Sequence, residues 1–197
     1  MSNSYNYIDP DYVYTDPKTG ILRNLAETTD SNDLLFLETA AVSKRIKELE
    51  ENPIKIKDSN ALLQIHYHLF QDVYAWAGKV RTVNISKNGK PFFSGERFSI
   101  AFHYTDTLIL EYRRIRKSNK KALAQKLAEI LDTINFLHPF REGNGRTQRE
   151  FIRLLALEKG LNLNLNPANN LSVYERYMKG TIESDVQLLT ELILEGI

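Results

Sequence analysis

His138, Pro139, Phe140, Arg141, Glu142, Gly143, Asn144, Gly145, Arg146, Thr147, Gln148 and Arg149 form the chemically densest run of this 197-residue chain. His138 supplies an imidazole, which titrates near neutrality (about 6.5 unperturbed) and so can take a proton from an attacking hydroxyl. Glu142 is one carboxylate amid cations. A hard cation bridging it to phosphate oxygens would account for it, and Mg²⁺ is the usual choice. Gly143 and Gly145 let the backbone approach an anion closely, and Asn144 between them adds a side-chain donor. Arg146 and Arg149 stand three apart, so on a helix both reach the same space and can share phosphate oxygens. Each residue alone has a bland explanation: a histidine at a helix end, a lone Gly-x-Gly, a solvated arginine pair. Packing does not ask for all of them in this order. Together they point to a di- or triphosphate.

Such a run needs helices on both sides. Leu123, Leu127, Ile130, Ile134 and Leu137 recur at helical spacing and lead straight into His138. Pro139 disfavours helical geometry at the residue before it. A second helix is predicted from Asn144 or Gly145 to Lys159, with Gly160 as its C′ residue. The loop would then sit on that helix's N-terminus, where free N–H groups and the positive dipole end attract anions. Phe140 reads as a core anchor for the loop.

The remaining elements are mostly helical. One helix places Leu35, Val42, Ile46 and Leu49 on one face and stops at Asn52-Pro53. A second is capped by Asp58 or Ser59, carries Leu62, His66, Leu69, Val73 and Trp76, and closes at Gly78. A third, about 98–117, is less regular. Two capping boxes, Ser172 to Glu175 and Ser184 to Gln187, predict short helices at about 173–179 and 185–195. Val80 to Phe93 breaks the rhythm: β-branched alternation followed by Asn88-Gly89 is a β-hairpin signal. The fold class is mainly α with one hairpin.

Composition sets outer limits. The 26 basic and 25 acidic residues nearly cancel, which argues against bulk attraction to nucleic acid or membrane. Six cations, Arg113, Arg114, Arg116, Lys117, Lys120 and Lys121, do cluster; they read best as a helix C-terminus and a solvated turn. No cysteine is present, which excludes disulfides and thiolate catalysis and suits a reducing cytoplasm. No signal peptide or spanning segment is apparent, so no membrane association is expected. Residues 1–32 are polar and turn-rich, with Tyr5, Tyr7, Tyr12 and Tyr14 crowded together, and read as an arm whose rings pack on the domain. His66-Tyr67-His68 offers too few ligands for zinc. Tyr174 and Tyr177 follow the arginine helix and suit either an adenine pocket or the core.

The run 138–149 resembles the signature of the Fic family, His-x-Phe-x-(Asp/Glu)-Gly-Asn-Gly-Arg-x-x-Arg, with every specified position filled. Tyr74 to Lys87 is similar to the family's approach to its flap hairpin. The resemblance implies a Fic domain over 33–197, with a flap at about 80–95. It further implies transfer of AMP from ATP to a Tyr, Ser or Thr hydroxyl of a target protein. His138 would then be the base and Glu142 the Mg²⁺ ligand. Gly143, Asn144 and Gly145 would bind the α- and β-phosphates, Arg146 the β-phosphate and Arg149 the γ-phosphate. Lys87, Asn88, Gly89, Lys90, Pro91, Phe92 and Phe93 would form the flap on which an extended target segment docks.

Many Fic proteins carry an inhibitory helix, (Ser/Thr)-x-x-x-Glu-(Gly/Asn), whose Glu occupies the second signature arginine. Here Ser43 is followed four on by Lys47, Ser184 by Leu188 and Thr190 by Leu194, with Glu195-Gly196 one residue late. One extra residue turns a side chain about 100° around a helix. The pattern is read as absent, and the resemblance then implies a toxin restrained by a separate antitoxin that supplies a Glu near Arg149. The alternatives are a Fic-type enzyme moving another phosphate-containing group, and a non-catalytic nucleic-acid-binding regulator using the cluster around Arg113. Direct nucleic-acid binding is not expected.

Overall fold

The computed structural model describes residues 6–7, 12–87, 90–165 and 170–197. In chain order the elements are β1 Asn6–Tyr7, α1 Ser31–Glu51, α2 Ala61–Phe70, β2 Ile85–Lys87, β3 Lys90–Pro91, α3 Phe98–Arg114, α4 Lys120–Leu137, α5 Asn144–Glu158, α6 Leu171–Glu183 and α7 Val186–Glu195. The fold is mainly α, as its sequence pattern predicts.

α4 is the axis. Leu123, Leu127, Ile130, Ile134 and Leu137 are all buried, as are Ala124, Ala128 and Leu131. It packs against α3, α5 and α7, while α2 lies across α5 and α1. Burying a Leu or Ile contributes roughly 1.5–3 kcal/mol, so this one stripe is a main source of cohesion. α5 ends as its sequence predicts: Gly160 has φ +66°, and the Leu161 N–H returns to the Ala156 carbonyl.

Several local expectations are corrected. On α1 the inward residues are Leu34, Glu38, Val42 and Leu49, whereas Leu35 is 64% exposed. Val42 and Leu49 are buried as expected and Ile46 packs partly buried against the core, so only Leu34 replaces Leu35 and the face gains a carboxylate. α2 stops at Phe70 instead of running to Gly78. The Val73 carbonyl, needed to extend the helix, accepts the Leu25 N–H of the N-terminal arm. Residues beyond it turn so that Tyr74 stacks on Trp76, 4.3 Å between centroids. Neither Asp58 nor Ser59 is the α2 N-cap; that position is Asn60, while Asp58 Oδ1 accepts the Asn60 N–H in the preceding turn.

The two serine capping boxes are also not used as such. Asn170 caps α6, accepting from the Val173 N–H, and Ser172 lies inside the helix. Asp185 caps α7, accepting from the Leu188 N–H, while Ser184 ends α6 in the left-handed region at φ +54°. At α7 the Asp185 carboxylate also places negative charge at the positive end of the helix dipole.

The hairpin is present, with Ser86 opposite Pro91 and Lys87 opposite Lys90. Asn88 and Gly89 lie outside the described residues. The sheet has a third strand that the sequence reading did not include: Asn6 and Tyr7 pair antiparallel with Ser86 and Ile85. Tyr14 packs its ring edge-on to Trp76 at 5.6 Å and its hydroxyl accepts the Thr82 N–H, so part of the arm does sit on the domain. Tyr5 is outside the described residues, and Tyr12 is exposed. No helix among the described residues is long and apolar enough to cross a membrane.

The cap assignment is testable. Asp185→Ala is expected to lower stability by about 1 kcal/mol, while Ser172→Ala stays within about 0.5 kcal/mol of the parent. Urea unfolding of both variants measures the difference.

Candidate active site

The signature loop joins α4 to α5 and is closed by its own side chain. Asn144 accepts the Phe140 N–H at 2.9 Å and donates to the Phe140 carbonyl at 2.8 Å. Asn144 is only 2% exposed. This corrects its expected role as a side-chain phosphate donor: its amide holds the loop, and any donor it offers an anion is its backbone N–H. Gly143 stands before the helix at φ +81°, and a Cβ there would lie 2.3 Å from the Phe70 ring. No side chain caps α5. Its first-turn N–H groups therefore face the loop without a helical partner.

His138 caps α4 in the left-handed region, φ +45° and ψ +60°. Its Nδ1 lies 3.0 Å from the Asn135 carbonyl. A carbonyl only accepts, so Nδ1 carries the proton and the neutral ring has its lone pair on Nε2. The Phe92 ring stacks on this imidazole at 3.8 Å and 18°. His138 is 4% exposed and lines the cavity.

Two residues that the sequence reading did not assign to the site hold the loop from outside. Arg81, buried at the base of the flap, donates from Nε to the His138 carbonyl at 2.9 Å and from its other nitrogens to the Val83 and Phe93 carbonyls. Its own N–H reaches the Pro139 carbonyl. Burial lowers the guanidinium to about 10. His66, fully buried, accepts the Gly78 N–H on Nδ1 at 2.8 Å and donates from Nε2 to the Glu142 carbonyl at 3.0 Å. Its ring lies on Phe140 at 3.8 Å. His68 Nε2 instead meets the Arg45 carbonyl, so the two histidines serve different contacts. Only the placement of His66 on an apolar helix stripe hinted at its burial; nothing local marked Arg81.

The phosphate-class residues do converge. Glu142, Gly143, Gly145, Arg146 and Arg149 line one cavity of about 750 Å³ with His138, Pro91 and Phe92. Glu142 Oε1 accepts the Gly143 N–H at 2.9 Å and lies 3.6 Å from Arg146 Nη2. Arg146 spreads over the Phe70 ring at 4.7 Å and meets Glu38 Oε1 at 2.5 Å. The Arg149 guanidinium lies over Tyr177 at 5.4 Å and Tyr174 at 5.8 Å. α6 supplies the opposite wall through Tyr174, Tyr177, Met178, Thr181 and Ile182. Tyr177 is buried, so it serves both wall and core.

The flap residues divide. Pro91 and Phe92 line the cavity. Phe93 is tied to α4, its N–H donating to the Phe136 carbonyl. Lys87 and Lys90 pair across the hairpin. Glu195 forms a two-point ion pair with Arg176 at 2.6 and 3.0 Å, so the C-terminal near-match to an inhibitory helix directs its carboxylate there.

Residues 56–156 match the model of the Fic/DOC family. The chain belongs to the Fic/DOC family. It is 33% identical over 193 residues to a probable protein adenylyltransferase, y4lH, of Sinorhizobium fredii, covering 90% of this chain and 93% of that one. It is 40% identical over 152 residues to the protein adenylyltransferase VbhT of Bartonella schoenbuchensis, covering 76% of this chain but 32% of that longer protein. The fold matches the BepC protein of Bartonella tribocorum, solved with bound AMPPNP, at TM-score 0.81 and 22% identity over 94% of this chain and 96% of that one. The Fic signature thus sits in a Fic fold.

The buried His66 gives a pH signature. Burial, chiefly, and the Arg146 charge hold it at about 3, below the ordinary value of 6.5. The unfolded chain takes up this proton at a higher pH than the folded one. The His66 contribution is therefore full above about pH 6.5 and lost as pH falls toward 3, by roughly 2 kcal/mol at pH 5. Denaturant unfolding between pH 7 and 5 should show this slope, and His66→Gln, though less stable, should lack that component. Separately, Gly143→Ala is expected to cost about 2–4 kcal/mol, from a strained φ and the collision with Phe70. Thermal unfolding beside the parent checks it.

Proposed function

We propose that this Fic chain is a protein adenylyltransferase, transferring AMP from ATP to a Tyr, Ser or Thr hydroxyl of a target protein and releasing pyrophosphate. One observation carries the reading: a δ-protonated His138 shares a cavity with an uncapped helix N-terminus and two arginines. The names of the relatives support it. The target hydroxyl oxygen attacks the α-phosphorus, the bond from that phosphorus to the bridging oxygen breaks, and the hydroxyl proton passes to His138 Nε2. First-turn N–H groups of α5 stabilise the developing charge, Arg146 holds the β-phosphate and Arg149 the γ-phosphate. The aromatic wall of α6 suits the flat face of adenine.

Mg²⁺ fits this donor set, since it needs one or two carboxylates and completes its shell with phosphate oxygens and water. Glu142 would hold it, and it would neutralise charge on the α- and β-phosphates. Among the described residues no cluster of three or more His, Asp or Glu offers an all-protein metal cage, which accords with a substrate-completed site. The target segment would add to the flap beside Pro91 and Phe92. The other edge of β2 is held by β1, so strand addition falls to β3. With Glu195 bound to Arg176, restraint would come from a separate antitoxin placing a Glu near Arg149. ATP use and the lack of cysteine suit a cytoplasmic setting.

The binder alternative loses ground at its own residues. Arg113 pairs with Glu158 and donates to the Lys57 and Ile56 carbonyls, and Lys120 donates to the Ile197 carbonyl. Incubation with a bacterial lysate and ATP labelled on either the α- or γ-phosphate decides between readings. Label is expected in protein from α-labelled ATP only, and not with His138→Ala. Transfer from γ-labelled ATP would instead mean a kinase. No His138-dependent label, after removal of any co-purifying inhibitor, would sink the transferase reading.

A further inference from the structure

Glu38 is a carboxylate on the core face of α1, one turn from Leu34 and one from Val42, and only 7% exposed. An apolar residue would fill such a position at less desolvation cost. Both its oxygens are engaged. Oε1 meets Arg146 Nη1 at 2.5 Å, and Oε2 accepts the hydroxyl of Tyr74. Tyr74 is fixed in turn by stacking on Trp76. The carboxylate is therefore oriented before it meets the arginine.

Arg146 needs that grip. It stands in the first turn of α5, where the positive end of the helix dipole disfavours a cation. Phe70 fixes the plane of the guanidinium, but a ring face does not fix rotation within that plane. Glu142 lies 3.6 Å from Nη2, a loose contact. Glu38 supplies the short, directional one. It also approaches from behind: Arg146 and Glu142 line the cavity, and Glu38 does not. A carboxylate in the cavity would compete with phosphate for the guanidinium. One outside it leaves the remaining donors turned to the ligand.

We infer that Glu38, oriented by Tyr74, is a positioning residue that holds Arg146 for the β-phosphate of the bound nucleotide. The inference rests on the nucleotide reading of the site. It places part of the phosphate-binding apparatus on α1, a helix far upstream of the signature in the chain.

The test compares nucleotides with and without a β-phosphate. In a His138→Ala parent, which prevents turnover, dissociation constants for ATP, ADP and AMP are measured by calorimetry with Mg²⁺ present. Glu38→Ala is expected to weaken ATP and ADP about tenfold and leave AMP unchanged. Arg146→Ala should give the same pattern, and the double variant should be no weaker than Arg146→Ala alone. Glu38→Gln keeps the shape but not the charge and should fall between; it carries the test if Glu38→Ala does not fold. Equal weakening of all three nucleotides, additive losses in the double variant, or unchanged ATP binding in a folded variant would each overturn the role. So would tighter ATP binding, which would make Glu38 a competitor for Arg146. A parent that binds none of the nucleotides fails differently, because it removes the nucleotide reading itself.

Discussion

The carboxamide of Asn144, bonded to both polar groups of the Phe140 backbone, is the contact on which the site depends. It closes a short loop between two helices, whose flanking caps are His138 after α4 and Gly143 before α5. An ordinary N-cap would have satisfied the first N–H groups of α5 and removed them from use. Placing the stabilising amide at the first helical residue, and aiming it backward, leaves those donors for a ligand. Gly143 follows from the same constraint, since the chain must pass the Phe70 ring closer than any side chain permits.

Around that closure, hydrogen-bond donors from distant elements grip backbone carbonyls of the loop. Arg81 takes His138, its amide takes Pro139, and His66 takes Glu142. These bonds fix the main-chain geometry of the loop without using the side chains of His138 and Glu142, both of which line the cavity. Phe92 adds a ring over His138, so the flap and the signature loop are in direct contact.

Much of this was legible in the sequence, for identifiable reasons. The α4 stripe and the boundaries of α5 were readable because a strict 3-4 spacing meets a proline at one end and a glycine at the other. The hairpin was readable because Asn-Gly follows β-branched alternation. Val42, Ile46 and Leu49 mark the core face of α1, but its first turn is not readable, because Leu34, Leu35, Phe36 and Leu37 give no unique apolar phase and the buried Glu38 is charged. The α2 terminus is not readable because Val73 and Trp76 continue the apolar helical spacing while lying in the turns after Phe70. Arg81 gives no signal because its hydrogen-bond partners are all carbonyls, which every sequence supplies.

The cavity's walls have different origins along the chain. The base, the glycines and the two arginines come from the stretch by which the Fic family is recognised. The grip on Arg146 comes from α1, and the aromatic wall opposite comes from α6, both outside it. The part of the molecule that performs bond making is thereby separable, in principle, from the parts that decide what is held and how firmly. Changes in α1 or α6 would thus reshape the cavity wall and the hold on Arg146 while leaving every residue of the signature in place.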